Sequence, residues 1–78
     1  MFVLKAQNNK GGAQMPIHLK AARVNAKFTQ SEAAKALEIN RNTLASYEAY
    51  KTIPDIEIAK KIAALYGLPV DDIIFFAE

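Results

Sequence analysis

The 78-residue chain has no cysteine and no tryptophan, one histidine, three glycines and three prolines. Without cysteine, neither a disulfide nor a thiolate-ligated zinc can form. His18 cannot build a metal site alone, and an isolated histidine on a helix is ordinarily a surface or boundary residue. No metal and no cofactor is therefore expected. Absent too are a Ser/His/Asp constellation and a phosphate-cradling glycine loop, so nothing supports an enzyme. No segment approaches the ~20 apolar residues of a membrane helix. The start, MFVLK, lacks the charged region and long apolar stretch of a signal peptide. A cytoplasmic protein with no membrane partner is the expectation.

What is present suits one domain with one modest core, since 51% of the residues are apolar. A chain this short ordinarily needs a staple or a partner to be comfortably stable. The net charge of +2 says little, but its distribution says more. Residues 15–54 carry Lys20, Arg23, Lys27, Lys35, Arg41 and Lys51 against Glu32, Glu38 and Glu48, a balance of +3. Residues 55–78 carry Lys60 and Lys61 against Asp55, Glu57, Asp71, Asp72 and Glu78, a balance of −3. One half of the chain is thus suited to facing an anion.

Residues 1–14 differ from the rest. NNKGGAQ shows no periodicity and reads as a flexible extension. Lys10-Gly11-Gly12 can be encoded by AAAGGAGGN, a purine run resembling a bacterial ribosome-binding site two codons before Met15. Met15 is accordingly expected to be the natural start, with residues 1–14 as translated leader and residues 15–78 as the domain.

From Pro16 onward helix signals recur. Pro16 suits the first turn of a helix whose face holds Leu19, Ala22 and Arg23. In TQSE, Thr29 and Glu32 form a capping box, followed by the buried stripe Ala33, Ala34 and Leu37. Asn40 caps a third helix. Pro54-Asp55 opens a fourth, IEIAKKIAALY, whose stripe is Ile58, Ile62 and Leu65, with Ala59 and Ala63 beside it. Lys60 and Lys61 belong to its solvated face. Gly67 ends that helix, and a fifth short one starts near Pro69 or Val70, with Asp71 and Asp72 at its positive end. No segment shows the alternation of a strand. The fold class is all-α, a bundle of about five short helices.

The third helix carries an oddity. One side shows Arg41, Asn42, Ala45, Ser46 and Ala49; the other shows Leu44, Tyr47 and Glu48. Only Glu38, Ile39 and Asn40 separate it from the second helix, so the two cross steeply. That is a helix-turn-helix arrangement, whose second helix can enter a major groove. Residues 17–75 resemble the phage-repressor (Cro/repressor-type) helix-turn-helix family without a gap. The matching residues are Leu19, Arg23, Thr29-Gln30, Glu32-x-Ala34-x-x-Leu37, Asn40-Arg41-x-Thr43-Leu44, Tyr47-Glu48, Lys51, Pro54, Ala63, Gly67-Leu68 and Asp71. The resemblance implies a lambda-repressor-like five-helix bundle that binds double-stranded DNA.

On that basis the oddity has an explanation. Ala45, Ser46 and Ala49 keep the groove-facing side low, while Arg41 and Asn42 are the side chains that can reach base edges. Arginine pairs bidentately with guanine and asparagine with adenine. The resemblance implies a phosphate contact by Gln30, through its side chain and its backbone N–H, and a helix N-terminus is an anion site. Asn40, Thr43 and Lys51 are further phosphate candidates. Plainer roles stay open: Asn40 as a cap alone, Arg41 and Lys51 as solvated charges, Ser46 as a silent surface residue. Glu48 facing outward would oppose phosphate. The family pairs a glutamate here with the arginine matching Arg23, so an Arg23–Glu48 salt bridge, largely buried, is expected.

Three positions where the family prefers glycine hold Lys27, Glu38 and Tyr50. Ala33 replaces a commoner leucine, so Phe28 is expected to fill core there. The tail IIFFAE carries more apolar surface than so small a core can bury. One such domain makes few base contacts, and family members usually act as dimers. A homodimer contact through Leu68, Pro69, Val70, Ile74, Phe75 and Phe76 is expected, although Ile73 and Phe75 or Phe76 could instead close the bundle. The function expected is sequence-specific regulation of transcription, as a repressor of a phage or mobile element on a two-fold operator. The alternative is a protein-interaction module, antitoxin-like or anti-repressor, in which the same fold docks a protein partner. RNA is disfavoured because no aromatic side chains line the outer face to stack bases.

Overall fold

The computed structural model describes residues 15–76, so the extension at residues 1–14 lies outside the described residues. Four α-helices follow one another: α1 (Leu19–Asn25), α2 (Gln30–Leu37), α3 (Arg41–Glu48) and α4 (Ile56–Tyr66). Their starts are fixed locally. Thr29 and Glu32 exchange the two bonds of a capping box, at 3.1 Å and 2.9 Å. The Asn40 side chain accepts from the Asn42 N–H at 2.8 Å, and that of Asp55 from the Ile58 N–H at 2.9 Å. Gly67 ends α4 at φ 74°, where glycine meets no steric penalty.

Two expectations need correction. The first helix begins at Leu19, not in the turn opened by Pro16, because Ile17–His18 form a strand, β1. The fifth helix is a single 3₁₀ turn, Val70–Asp72, after which the chain extends into a second strand, β2 (Ile73–Ile74). The strands pair in parallel, Ile17 with Ile73 and His18 with Ile74. β-branched isoleucines suit an extended, half-buried backbone, and pairing satisfies polar groups that a helix would have bonded internally. The body is therefore four helices closed by a short two-stranded bridge.

Leu19, Leu44 and Ile62 are fully buried at the centre. Ala22, Ala33, Ala34, Ala59 and Ala63 surround them, and their small side chains let four short helices approach closely. Phe28 packs against this core, its ring centroid 6.1 Å from that of Tyr66. Sequence periodicity did not single out Tyr66, yet it is buried beside Ala63 and Ile62. Of the two adjacent phenylalanines, Phe75 turns into the core, 8% exposed, and Phe76 turns out, 56% exposed.

All three residues in place of the family's glycines adopt left-handed backbone: Lys27 (φ 71°), Glu38 (φ 61°) and Tyr50 (φ 61°). Such a conformation costs an L-residue roughly 1–2 kcal/mol. Lys27 and Glu38 are exposed and gain nothing evident in return. Tyr50 does: its hydroxyl bonds His18 Nδ1 and donates to the Ile74 carbonyl at 3.3 Å, tying the end of α3 to both strands. Lys27→Gly and Glu38→Gly should each raise stability by about 1 kcal/mol, read from urea denaturation midpoints. Tyr50→Gly should lower it.

Candidate nucleic-acid interface

α2 and α3 pack directly on one another, joined through Glu38 in its left-handed conformation and Ile39, whose N–H donates to the Ala34 carbonyl at 3.0 Å. This tight connection swings α3 across α2 and leaves one side of α3 free. Arg41, Asn42 and Ala49 are exposed on it, and Ala45 and Ser46 are half-buried between them. Residues three and four apart share a helical face, so these five form one strip along α3. Asn40 and Lys51 are exposed at its two ends, and Thr43 is half-buried. At the start of α2, the N–H groups of Gln30 and Ser31 have no intrahelical acceptor.

Behind the strip lies an ion pair. Arg23 on α1 donates through Nε to Glu48 Oε2 at 2.6 Å and through Nη2 to Glu48 Oε1 at 3.3 Å. Its Nη1 donates to the Phe28 carbonyl at 2.9 Å. The two side chains are only 9% and 4% exposed. Removing one partner would strand a buried charge.

No pattern in the sequence announces what continues outward. Gln30 Nε2 donates to Glu48 Oε1 at 2.9 Å, and Arg41 Nη1 donates to Gln30 Oε1 at 3.4 Å. Arg23, Glu48, Gln30 and Arg41 thus form one polar chain from the core to the exposed end of α3. The family resemblance pairs only Arg23 with Glu48; Gln30 lies 18 residues from Glu48, and no local pattern links them. Tyr66 sits near the buried end. Its hydroxyl is buried with no hydrogen-bond partner. Burial pushes its pKa up to about 12, the Glu48 carboxylate adding to the rise and the Arg23 guanidinium opposing it.

The residues expected at a dimer contact separate into two groups. Leu68, Val70 and Ile74 are half-buried and Pro69 and Phe76 exposed, but Phe75 is a core residue. Its place in the core matches the alternative in which Phe75 closes the bundle. Among the described residues no helix is long and apolar enough to cross a membrane, and no group of His, Cys, Asp and Glu could hold a metal ion.

The family model of the HTH_3 helix-turn-helix matches residues 19–73. The chain belongs to this XRE-type helix-turn-helix family, a family of DNA-binding transcriptional regulators rather than of enzymes. It is similar to the HTH-type transcriptional regulator ImmR of Bacillus subtilis, 42% identical over 53 residues, 68% of this chain and 42% of ImmR. An uncharacterized HTH-type transcriptional regulator of Methanocaldococcus jannaschii is 33% identical over 60 residues, 77% of this chain and 91% of the relative. The cryptic phage CTXphi transcriptional repressor RstR of Vibrio cholerae is 28% identical over 60 residues, 77% of this chain and 54% of RstR. The chain therefore spans less than half of ImmR and about half of RstR.

Two stability measurements follow from the buried polar chain. Glu48→Ala should cost on the order of 3–5 kcal/mol in urea denaturation, because it leaves Arg23 buried and unpaired. Tyr66→Phe removes an unpartnered hydroxyl and opens no cavity, so it should be neutral or stabilising at pH 7. The pH dependence has a definite sign. The native hydroxyl keeps its proton to about pH 12, whereas an unfolded tyrosine loses it near 10. The wild-type protein then loses stability as pH rises through that window, and Tyr66→Phe should lose less.

Proposed function

We propose that this protein is a sequence-specific transcriptional regulator, acting as a repressor that binds a two-fold operator in the major groove as a homodimer. The observation that carries this reading is the strip on α3, where Arg41 and Asn42 stand exposed at the helix N-terminus beside a low surface of Ala45 and Ser46. Arg41 reads guanine and Asn42 adenine, and the methyl group of Ala45 meets thymine methyls. Asn40, Thr43, Lys51 and the backbone N–H of Gln30 hold phosphates, which set register without reading sequence. Repression is supported by the similarity to RstR, a phage transcriptional repressor by name. Leu68, Pro69, Val70, Ile74 and the exposed Phe76 supply the two-fold contact, with Phe75 behind them in the core.

Selection from a random duplex pool, followed by titration of the winner at several salt concentrations, tests this reading. A two-fold motif should emerge whose affinity falls steeply with salt as phosphate contacts release counterions. Arg41→Ala and Asn42→Ala should each relax selectivity at one base pair per half-site by about 1–3 kcal/mol. A pool that yields no motif, with weak binding to every duplex, would count against the proposal and favour a protein partner.

A further inference from the structure

We propose that Tyr50 is a positioning residue for DNA binding: its hydroxyl ties the end of α3 to the two strands and so places Lys51 against a phosphate, without touching DNA itself. This rests on Lys51 holding a phosphate and adds how that residue is placed.

The turn after α3 is built as a helix stop. The Tyr50 N–H donates to the Tyr47 carbonyl at 3.1 Å and the Lys51 N–H to the Ser46 carbonyl at 3.0 Å, with Tyr50 in left-handed backbone at φ 61°. Glycine is the usual residue at such a point, since it meets no steric penalty there. It would also leave the turn held by backbone bonds alone. Tyrosine is strained in this conformation, but it adds an anchor. Its hydroxyl donates to the Ile74 carbonyl of β2 at 3.3 Å, and its ring lies 5.7 Å from that of His18 in β1. A hydroxyl has one hydrogen to give. With that hydrogen on Ile74, Nδ1 of His18 is the donor in the second bond, and nothing is left to donate to a phosphate.

Lys51 depends on this anchor. Lys51, Thr52 and Ile53 are all exposed, and the connection returns to the body at the buried Pro54. Tyr50 fixes its near end. Upstream, the buried Leu44 and the bond from Arg23 to Glu48 hold α3 independently. Arg41 and Asn42 lie about two turns away, at the other end of the helix. They keep their places with or without the hydroxyl. Tyr50 therefore serves the phosphate grip and not the reading of bases. Fixing the connection before docking reduces the ordering required at the moment of binding.

The test uses the full chain, the duplex selected by the wild-type protein and single-base-pair variants of that duplex, titrated at several salt concentrations. Tyr50→Phe keeps the ring and removes the hydroxyl. It should weaken binding to every duplex by the same factor, roughly fivefold. It should also flatten the dependence of log affinity on log salt, as Lys51→Ala does by about one per protomer. Discrimination between base pairs should stay at the wild-type level. In a Lys51→Ala background Tyr50→Phe should add nothing. Tyr50→Gly, free of strain but equally without the anchor, should behave alike, and thermal unfolding of each variant sets a temperature at which all are folded. If Tyr50→Phe lowers the melting temperature yet keeps wild-type affinity and salt dependence, the anchor is structural only and the proposal is overturned. A loss that multiplies with that of Lys51→Ala makes Tyr50 a DNA contact in its own right and overturns it too. Should Lys51→Ala leave the salt dependence unchanged while Arg41→Ala loses selectivity, the positioning role falls and base reading by Arg41 stands. If the wild-type protein selects no duplex, base reading and positioning fall together.

Discussion

A guanidinium from α1 and a carboxylate from α3 lie against each other almost out of reach of water, and every nearby element packs under the constraint they impose. Arg23 also takes the Phe28 carbonyl, which fixes the segment leading into α2. Glu48 also takes Gln30, which fixes the first turn of α2. One ion pair therefore references three helices to a common point. Burying two charges carries a desolvation penalty that their attraction need not exceed, so its effect on net stability is small. What it supplies is discrimination: rotating α3 by one residue would bury a charge without its partner.

Alanine supplies the second constraint. Ala22, Ala33, Ala34, Ala59 and Ala63 sit between the helices, so packing rests on close approach more than on bulky side chains. The large fully buried residues are few, Leu19, Leu44 and Ile62. A core of this kind has little slack. Three turns in left-handed backbone without glycine persist because close packing and the Tyr50 hydroxyl leave the connections no other course.

What could be read in the sequence was local or spaced at helical period. Thr29, Asn40 and Asp55 announce helix starts through bonds that span three residues or fewer, so their positions in the chain are enough. The three left-handed positions stood out as non-glycine residues where the resemblance favours glycine. Strands of two residues were invisible, since alternation needs a longer run, and pairing Ile17 with Ile73 is a tertiary event. Which of Phe75 and Phe76 turns inward depends on the extended backbone that follows β2, which no helical pattern predicts. The Gln30 contacts were hidden for a similar reason: an amide shows no sign in sequence of which carboxylate will orient it.

The parallel bridge between β1 and β2 bears on how the domain forms and opens. Helices α1 to α4 meet mainly through short connections, contacts that close early because little chain must be ordered to make them. The bridge joins residues from opposite ends of the described chain, so it closes a loop containing all four helices. Its closure therefore costs more chain entropy than a contact between neighbouring helices. Release of β2 would draw Phe75 from the core and free the Tyr50 hydroxyl from Ile74 while leaving the contact between α2 and α3 in place. The bridge is thus a clasp on the helical body, and its opening would be a local event distinct from unfolding of the helices.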